Sequence, residues 1–216
     1  MHKLVRGEGP RCLTRYQHGV HNWSLNSPTR EERGQIWDHL ESVHDTRCAY
    51  CEADITNRSN AHLEHFRQRD RFPQGTFAWS NLFGSCNREE SCGKFKDSCG
   101  IYDHRVLIKP DDDNPDDYFV FVSDGTIAVR AGIDEASRHR AAETLRIFNL
   151  NAQNGALRQM RREAVRPHRD TAQALMDLLI ENPEIEGLQA FLDEEIQKTA
   201  HLPFSTAIRH ALSACL

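Results

Sequence analysis

The residues with the most chemistry to offer lie between positions 48 and 97 of a 216-residue chain. Cys48-Ala49-Tyr50-Cys51 is a C-x2-C pair, a spacing at which two thiolates on one tight turn can hold one tetrahedral metal ion. Cys86 and Cys92 supply a second pair, with Cys99 as a spare candidate. The set Cys48, Cys51, Cys86 and Cys92 predicts a closed four-thiolate site, which typically holds structural zinc because every coordination position is filled. Unrelated buried or free cysteines are the alternative. A redox motif would need a βαβ setting that the flanking sequence lacks. Cys12 and Cys215 stand apart and receive no role.

Between the two pairs runs His62-Leu63-Glu64-His65-Phe66, followed by Arg67, Arg69 and Arg71 and then by Phe77-Ala78-Trp79-Ser80-Asn81-Leu82. Glu64 offers a hard oxygen ligand for magnesium. His65 offers a base whose ordinary pKa is near neutrality. Asn81 can bridge two backbone segments or hold an imidazole, and the arginines can meet phosphates. Phe77 and Trp79, two apart, read as a strand face packed in the core.

In this pattern the chain resembles the zinc-braced HNH, or ββα-metal, endonucleases. Their signature is a C-x2-C pair, an acidic residue followed by His, an Asn, a second Cys pair and a Lys. The corresponding residues are Cys48 and Cys51, Glu64-His65, Asn81, Cys86 and Cys92, and Lys96. Lys3-Leu4, Pro10, Leu13, Glu64-His65-Phe66-Arg67 and Trp79-Ser80-Asn81-Leu82 resemble a narrower group, the HNH nucleases of Septu-type and retron-associated anti-phage systems. Members of that group operate with an ABC-type ATPase and, in the retron branch, with a reverse transcriptase and its RNA–DNA. The narrower resemblance covers most of the chain, and residues 48–97 are its most specific part.

The resemblance implies a metal-dependent endonuclease with structural Zn2+ and catalytic Mg2+ or Mn2+. His65 would take a proton from water, Glu64 would hold the catalytic ion, and Asn81 would fix the loop that carries the His65 ring. DNA and RNA are both open as the substrate. Adjacent strand residues face opposite sides, so Glu64 and His65 can share a site only where the strand bends or ends. Where the family often has another metal ligand after the last cysteine, this chain has Gly93. Asp97, Asn87 and His62 are the candidates to replace it. Lys94 and Lys96, with Arg67, Arg69 and Arg71, are candidate nucleic-acid contacts, or simply solvated charge. The alternative function is a catalytically weakened, zinc-braced nucleic-acid-binding or adaptor module, which Gly93 favours slightly and the intact Glu64-His65-Asn81 set disfavours.

The elements that must position these residues divide the chain into an N-terminal arm (1–27), a zinc-braced nuclease core (28–104), an acidic turn with a β-hairpin (105–133) and a helical region (134–216). The fold class expected is α+β. Ser27 as cap and Pro28 as first residue predict a helix to about His44. Asp124-Gly125 between Tyr118–Ser123 and Thr126–Arg130 predicts a two-residue hairpin. Asp134 predicts a helix to about Phe148. Further helices are expected from about Asn154 to Glu181 with a break at Pro167, from Glu184 to Thr199, and beyond Pro203. The acidic run Asp111, Asp112, Asp113, Asp116 and Asp117 reads as a solvated loop, or else as a metal or partner contact. Arg158, Arg161, Arg162, Arg166 and Arg169 read as a solvated face, a phosphate strip or a subunit contact. They precede an acidic stretch from Asp177 through Glu184 and Glu186 to Glu195. That segregation suggests the C-terminal helices as the docking surface for the ATPase.

Composition sets the outer limits. At 38% hydrophobic and 27% charged residues, the chain has the balance of a folded protein and not of a disordered one. A net charge of −5 excludes a globally basic binder while allowing basic strips. No apolar run approaches the ~20 residues of a membrane span. Met1–Pro10 lacks an apolar signal region, so cytoplasmic residence without a membrane partner is the expectation.

Overall fold

The computed structural model describes residues 1–24, 26–153, 155–182 and 187–214. The expected roles of Asn154 and Glu184 as helix starts, of Glu186 in the acidic stretch and of Cys215 as an unassigned thiol therefore lie outside the described residues. The fold is mixed α+β, with two small antiparallel sheets and seven α-helices among the described residues. No described helix is long and apolar enough to cross a membrane.

Helix α1 spans Arg30–His44 and starts later than Ser27 and Pro28 suggested. Thr29 is the cap: its hydroxyl accepts from Glu32 N, and the Glu32 carboxylate accepts from Thr29 N at 2.8 Å. This reciprocal box satisfies two end groups at once, which Ser27 cannot do. Ser27 is instead spent on a bridge, its carbonyl accepting from Ser24 N at 2.7 Å. Ile36 and Leu40 are fully buried on the face of α1 that covers the first sheet.

That sheet pairs β1 (Ala61–His65) with β2 (Leu82–Cys86), in the register Ala61 opposite Cys86 and His65 opposite Leu82. Every residue of β2 is buried. Gly84 admits α1, since a Cβ there would lie 2.6 Å from the His44 ring. Helix α2 (Cys92–Ser98) follows β2 at once and packs against it.

The second sheet is the expected hairpin, β3 (Phe119–Phe121) with β4 (Ile127–Val129). Its connection is three residues long, not two. Val122 N donates to Thr126 O, Gly125 N donates to Val122 O, and Gly125 takes a φ of 86°. A type I turn closed by a left-handed glycine matches the strand twist as well as the shorter turn would.

Helices α3 (Glu135–Ile147), α4 (Ala156–Val165), α5 (Arg169–Glu181), α6 (Leu188–Thr199) and α7 (Ser205–Ser213) complete the chain. Asp134 caps α3 as expected, and the break at Pro167 is a short 3-10 turn between α4 and α5. Helix α7 packs on α4, α5, α6 and β3. One apolar core joins Met1 and Leu4 to the cysteine turn, the hairpin and α7. The N-terminal segment thus closes over the rest: Arg6 stacks on Trp79, whose indole N–H donates to Gly7 O at 3.0 Å, and Tyr16 stacks on Phe77.

The acidic run differs from a solvated loop. Asp111 accepts from Arg6 at 2.6 Å with its side chain only 4% exposed, Asp113 accepts from Arg140 at 2.7 Å, and Asp116 accepts from Arg209 at 2.7 Å. Cations from far along the chain gather the run into the fold. The arginine cluster is also divided. Arg158 and Arg166 pair with Asp124 and Glu163 on the surface, whereas Arg161 is 1% exposed.

Candidate functional site

Cys48 and Cys51 sit on a turn whose backbone closes on itself, with Cys48 N donating to Ala53 O at 2.8 Å and Glu52 N to Cys48 O at 2.9 Å. Cys86 ends β2 and Cys92 starts α2, so strand and helix bring the second pair to the first. The four sulfurs lie within 4.8 Å of one another, and Cys51 Sγ is 3.8 Å from Cys86 Sγ. A tetrahedral zinc with ~2.3 Å bonds to sulfur has sulfur–sulfur edges of ~3.8 Å, so the set could bind a metal ion such as zinc. All four are free and buried. Burial and the neighbouring sulfurs push the Cys92 thiol well above its ordinary pKa. A divalent cation reverses that preference, because the thiolate is the form that ligates.

Two ions flank this turn in the interior. Glu52 accepts from Thr206 N at 3.0 Å, and Arg47 donates to Ala200 O at 2.9 Å and to Ser205 Oγ at 2.6 Å. Arg161 is a third buried charge. Its Nη1 donates to Gly125 O at 3.0 Å, while Nε and Nη2 have no hydrogen-bond partner among the described residues. Burial lowers its pKa, and the sulfurs of Cys51 and Cys92 with Glu52 oppose that shift. A guanidinium in that position would offset the negative charge of the four thiolates were a metal bound there.

On the other side of β1, the strand ends at His65, and Glu64 and His65 line one cavity of about 180 Å³. His62, Lys94 and Asp97 also border it. The two neighbours thus reach one cavity although His65 is still paired with Leu82 and Phe66 N donates to Asn81 O at 3.0 Å just beyond it. Asn81, fully buried, holds that loop at both ends. Its Oδ1 accepts from Arg67 N at 2.7 Å, and its Nδ2 donates to Arg67 O at 3.1 Å and to Gly75 O at 3.0 Å. Next to Gly75, Thr76 presents its carbonyl to His65 Nε2 at 2.9 Å. A carbonyl only accepts, so Nε2 carries the proton and Nδ1 is the lone-pair nitrogen. Burial pulls the pKa of His65 down to about 4, which keeps the ring neutral near pH 7.

Glu64 is 1% exposed. The Lys96 ammonium, itself 0% exposed, lies 2.7 Å from Oε1, and its aligned hydrogen bonds go to His65 O at 2.8 Å and Asp97 Oδ1 at 2.7 Å. Burial raises the Glu64 pKa, but Lys96 and then His62 outweigh it, so the carboxyl is held below its ordinary value. Lys96 is therefore neither the solvated charge nor the exposed nucleic-acid contact that the sequence allowed, since its buried ammonium is spent on Glu64, His65 O and Asp97. Gly93 also has a different meaning. A Cβ there would lie 2.3 Å from Glu64 Oε2, so the residue provides the space that the carboxylate occupies.

His62 and Glu64 test the fit of a divalent ion. Asn87 Nδ2 donates to Ser59 O and Ala61 O, which turns Oδ1 toward His62 Nδ1 at 3.0 Å. His62 Nδ1 must then donate, and a neutral ring aims the Nε2 lone pair at Glu64 Oε2, 3.1 Å away. Two lone pairs at that distance need a proton or a cation between or beside them. Neighbouring ligands of an octahedral ion with ~2.1 Å bonds are ~3.0 Å apart, so the pair fits one edge of such a site. A ligating imidazole held from behind by an acceptor is the usual support. Asn87 stands behind His62 in that arrangement. Asp97 borders the cavity with its side chain 56% exposed, and burial followed by Glu64 raises its pKa.

Of the other candidates, Arg67 stacks over Phe72 at 4.2 Å, Arg69 donates to Trp23 O at 3.4 Å, and Arg71 is exposed. Lys94 borders the cavity at 41% exposure. Sequence reading missed Trp23, Thr76 and the role of Gly93. Trp23 reaches His65 across 42 positions, and Thr76 acts through its carbonyl, so neither leaves a mark in local spacing. Compared with protein-family models and with curated proteins, the chain matches none.

Proposed function

We propose that this chain is a metal-dependent HNH endonuclease in which β1, β2 and α2 form the ββα-metal unit and Cys48, Cys51, Cys86 and Cys92 hold a bracing zinc. One observation carries the reading: Glu64 and His65 share one cavity, at the end of a strand whose loop is stapled by Asn81. His62 and Glu64 are the residues that would hold magnesium or manganese. That ion supplies charge stabilisation at the phosphoryl and leaving oxygens. His65, protonated at Nε2 on Thr76 O, offers Nδ1 to take a proton from the water that attacks phosphorus. A positioned base typically contributes ~10²–10⁴-fold. Lys96 holds the second oxygen of Glu64 and keeps the carboxylate ionised. Arg69 and Lys94 line this cavity and would supply phosphate contacts, whereas Arg67 and Arg71 line a separate depression with Phe72 and Tyr102.

The role as effector of an anti-phage complex with an ABC-type ATPase rests on the resemblance of the motif segment and of Lys3-Leu4, Pro10 and Leu13. One observation favours the second reading, a zinc-braced binding or adaptor module: Lys96 already neutralises Glu64. The deciding experiment offers labelled DNA and RNA to the purified chain with magnesium or manganese, alone and with the ATPase and nucleotide. Cleavage that is lost in His65→Ala supports the nuclease. Binding without cleavage in every condition supports the adaptor, and equal cutting by His65→Ala overturns the assignment of His65 as the base.

A further inference from the structure

We propose that Trp23, from the segment before α1, is the positioning residue for the His65 imidazole. The inference rests on the nuclease reading and extends it to a part of the chain that the motif does not reach. A base bound through one nitrogen can still swing about that hydrogen bond. His65 has Thr76 O on Nε2 and needs a second constraint to aim Nδ1. Trp23 supplies it: its ring meets the imidazole edge to face, with centroids 4.5 Å apart and planes at 86°.

The indole is fixed from outside the cavity. Arg33 of α1 lies over it at 5.0 Å, while its guanidinium donates to Pro28 O at 2.9 Å and to Ser24 O. Arg69 donates to the Trp23 carbonyl, and Phe77 lies at 5.9 Å. A line of contact thus runs from α1 through Trp23 to His65. Trp23 also borders both the 180 Å³ cavity and the wider one beside it, about 550 Å³, which His18 and His21 help to line. It stands where water would otherwise reach the side of the His65 ring. Trp23 also packs against the buried cluster of Cys12, Leu13, Ile36, Leu40 and Leu82, so each variant's melting midpoint is measured beside its activity.

The test compares wild type, Trp23→Ala and Trp23→Phe as full chains with magnesium or manganese on the cleaved nucleic acid. Misplacing a catalytic group by about 1 Å can cost ~10²-fold, so Trp23→Ala is expected to lose ~10²-fold in kcat with KM unchanged. Trp23→Phe, which keeps an aromatic edge, recovers most of the loss, with rates compared well below each variant's melting midpoint. Wild-type kcat in Trp23→Ala overturns the proposal. A raised KM at unchanged kcat overturns it too, since that marks a substrate contact. A readout independent of activity is the NMR shift of the His65 ring protons at fixed pH, displaced by the indole ring current and expected to relax in Trp23→Ala. If the wild type cuts nothing, the nuclease reading fails and this shift alone decides: unchanged ring-proton shifts refute the placement. Should Trp23→Ala melt, Trp23→Leu keeps bulk without an aromatic edge and carries the same comparison.

Discussion

Lys96 and Glu64 form an ion pair at 2.7 Å with neither side chain more than 1% exposed. Such a pair is not a large source of net stability, but breaking it from one side is costly because a bare charge stays behind. Lys96→Met is expected to lower stability by ~3–5 kcal/mol in urea unfolding. The double variant Lys96→Met, Glu64→Gln should recover much of that. A double variant no more stable than Lys96→Met would show that the two charges do not compensate each other.

Gly93→Ala brings a Cβ to within 2.3 Å of Glu64 Oε2. Overpacking of this kind costs ~1–3 kcal/mol, and the carboxylate must move away from His62. The expected result is a lower melting midpoint together with a higher metal requirement for cleavage. Gly93→Asn, which adds the ligand type that the HNH resemblance would expect there, should fail to improve activity for the same steric reason. An active, stable Gly93→Asn would contradict the packing.

The cysteine set predicts about one zinc per chain by elemental analysis. Cys48→Ser is expected to cost ~4 kcal/mol or more, in the range set by loss of a structural metal. Strong chelators should unfold the wild type. Metal-free protein with an unchanged melting midpoint would count against the centre.

Asp116 links the turn before β3 to α7. Burial raises its pKa, but hydrogen bonds with His210 and Arg209 prevail and hold it at about 2. A carboxylate depressed in the folded state adds stability above its unfolded value of ~3.9, and that contribution fades as pH falls through ~4 toward ~2. Partial exposure reduces the effect to on the order of 1–2 kcal/mol. Asp116→Asn should therefore be less stable than wild type at pH 6 and nearly equal to it at pH 2, by urea midpoints. A gap that stays constant across that range would rule the linkage out.

Features decided within a few residues were legible in the sequence. The C-x2-C turn, the Asp134 cap and the Asp124-Gly125 hairpin all depend on neighbours. Where two local signals competed, the start of α1 went to Thr29, because its partner Glu32 satisfies a second end group. Features decided by distant partners were hidden. Lys96 reads as a surface charge until Glu64 is seen beside it, 32 positions away. The acidic run reads as solvated until Arg6, Arg140 and Arg209 arrive. Cysteine spacing announced a centre, but not the guanidinium of Arg161 nearby.

Arg47 and Glu52 bracket the first cysteine pair, and both anchor in the junction between α6 and α7. The cysteine turn and the junction of the last two helices are therefore joined through the hydrogen bonds of Arg47 and Glu52. Strain applied at the C-terminal helices would reach the cysteine turn through these contacts, and through Cys86 and Cys92 it would reach β2 and α2. Removing residues 150–216 would take away the Ala200, Ser205 and Thr206 partners of these ions, leaving Glu52 with the Met1 ammonium and Arg47 with Asp45. A partner surface on the C-terminal helices is therefore better sought with single exposed side chains. Leu178 of α5 and Phe191 of α6, at 43% and 45% exposure, can be altered without touching the joint.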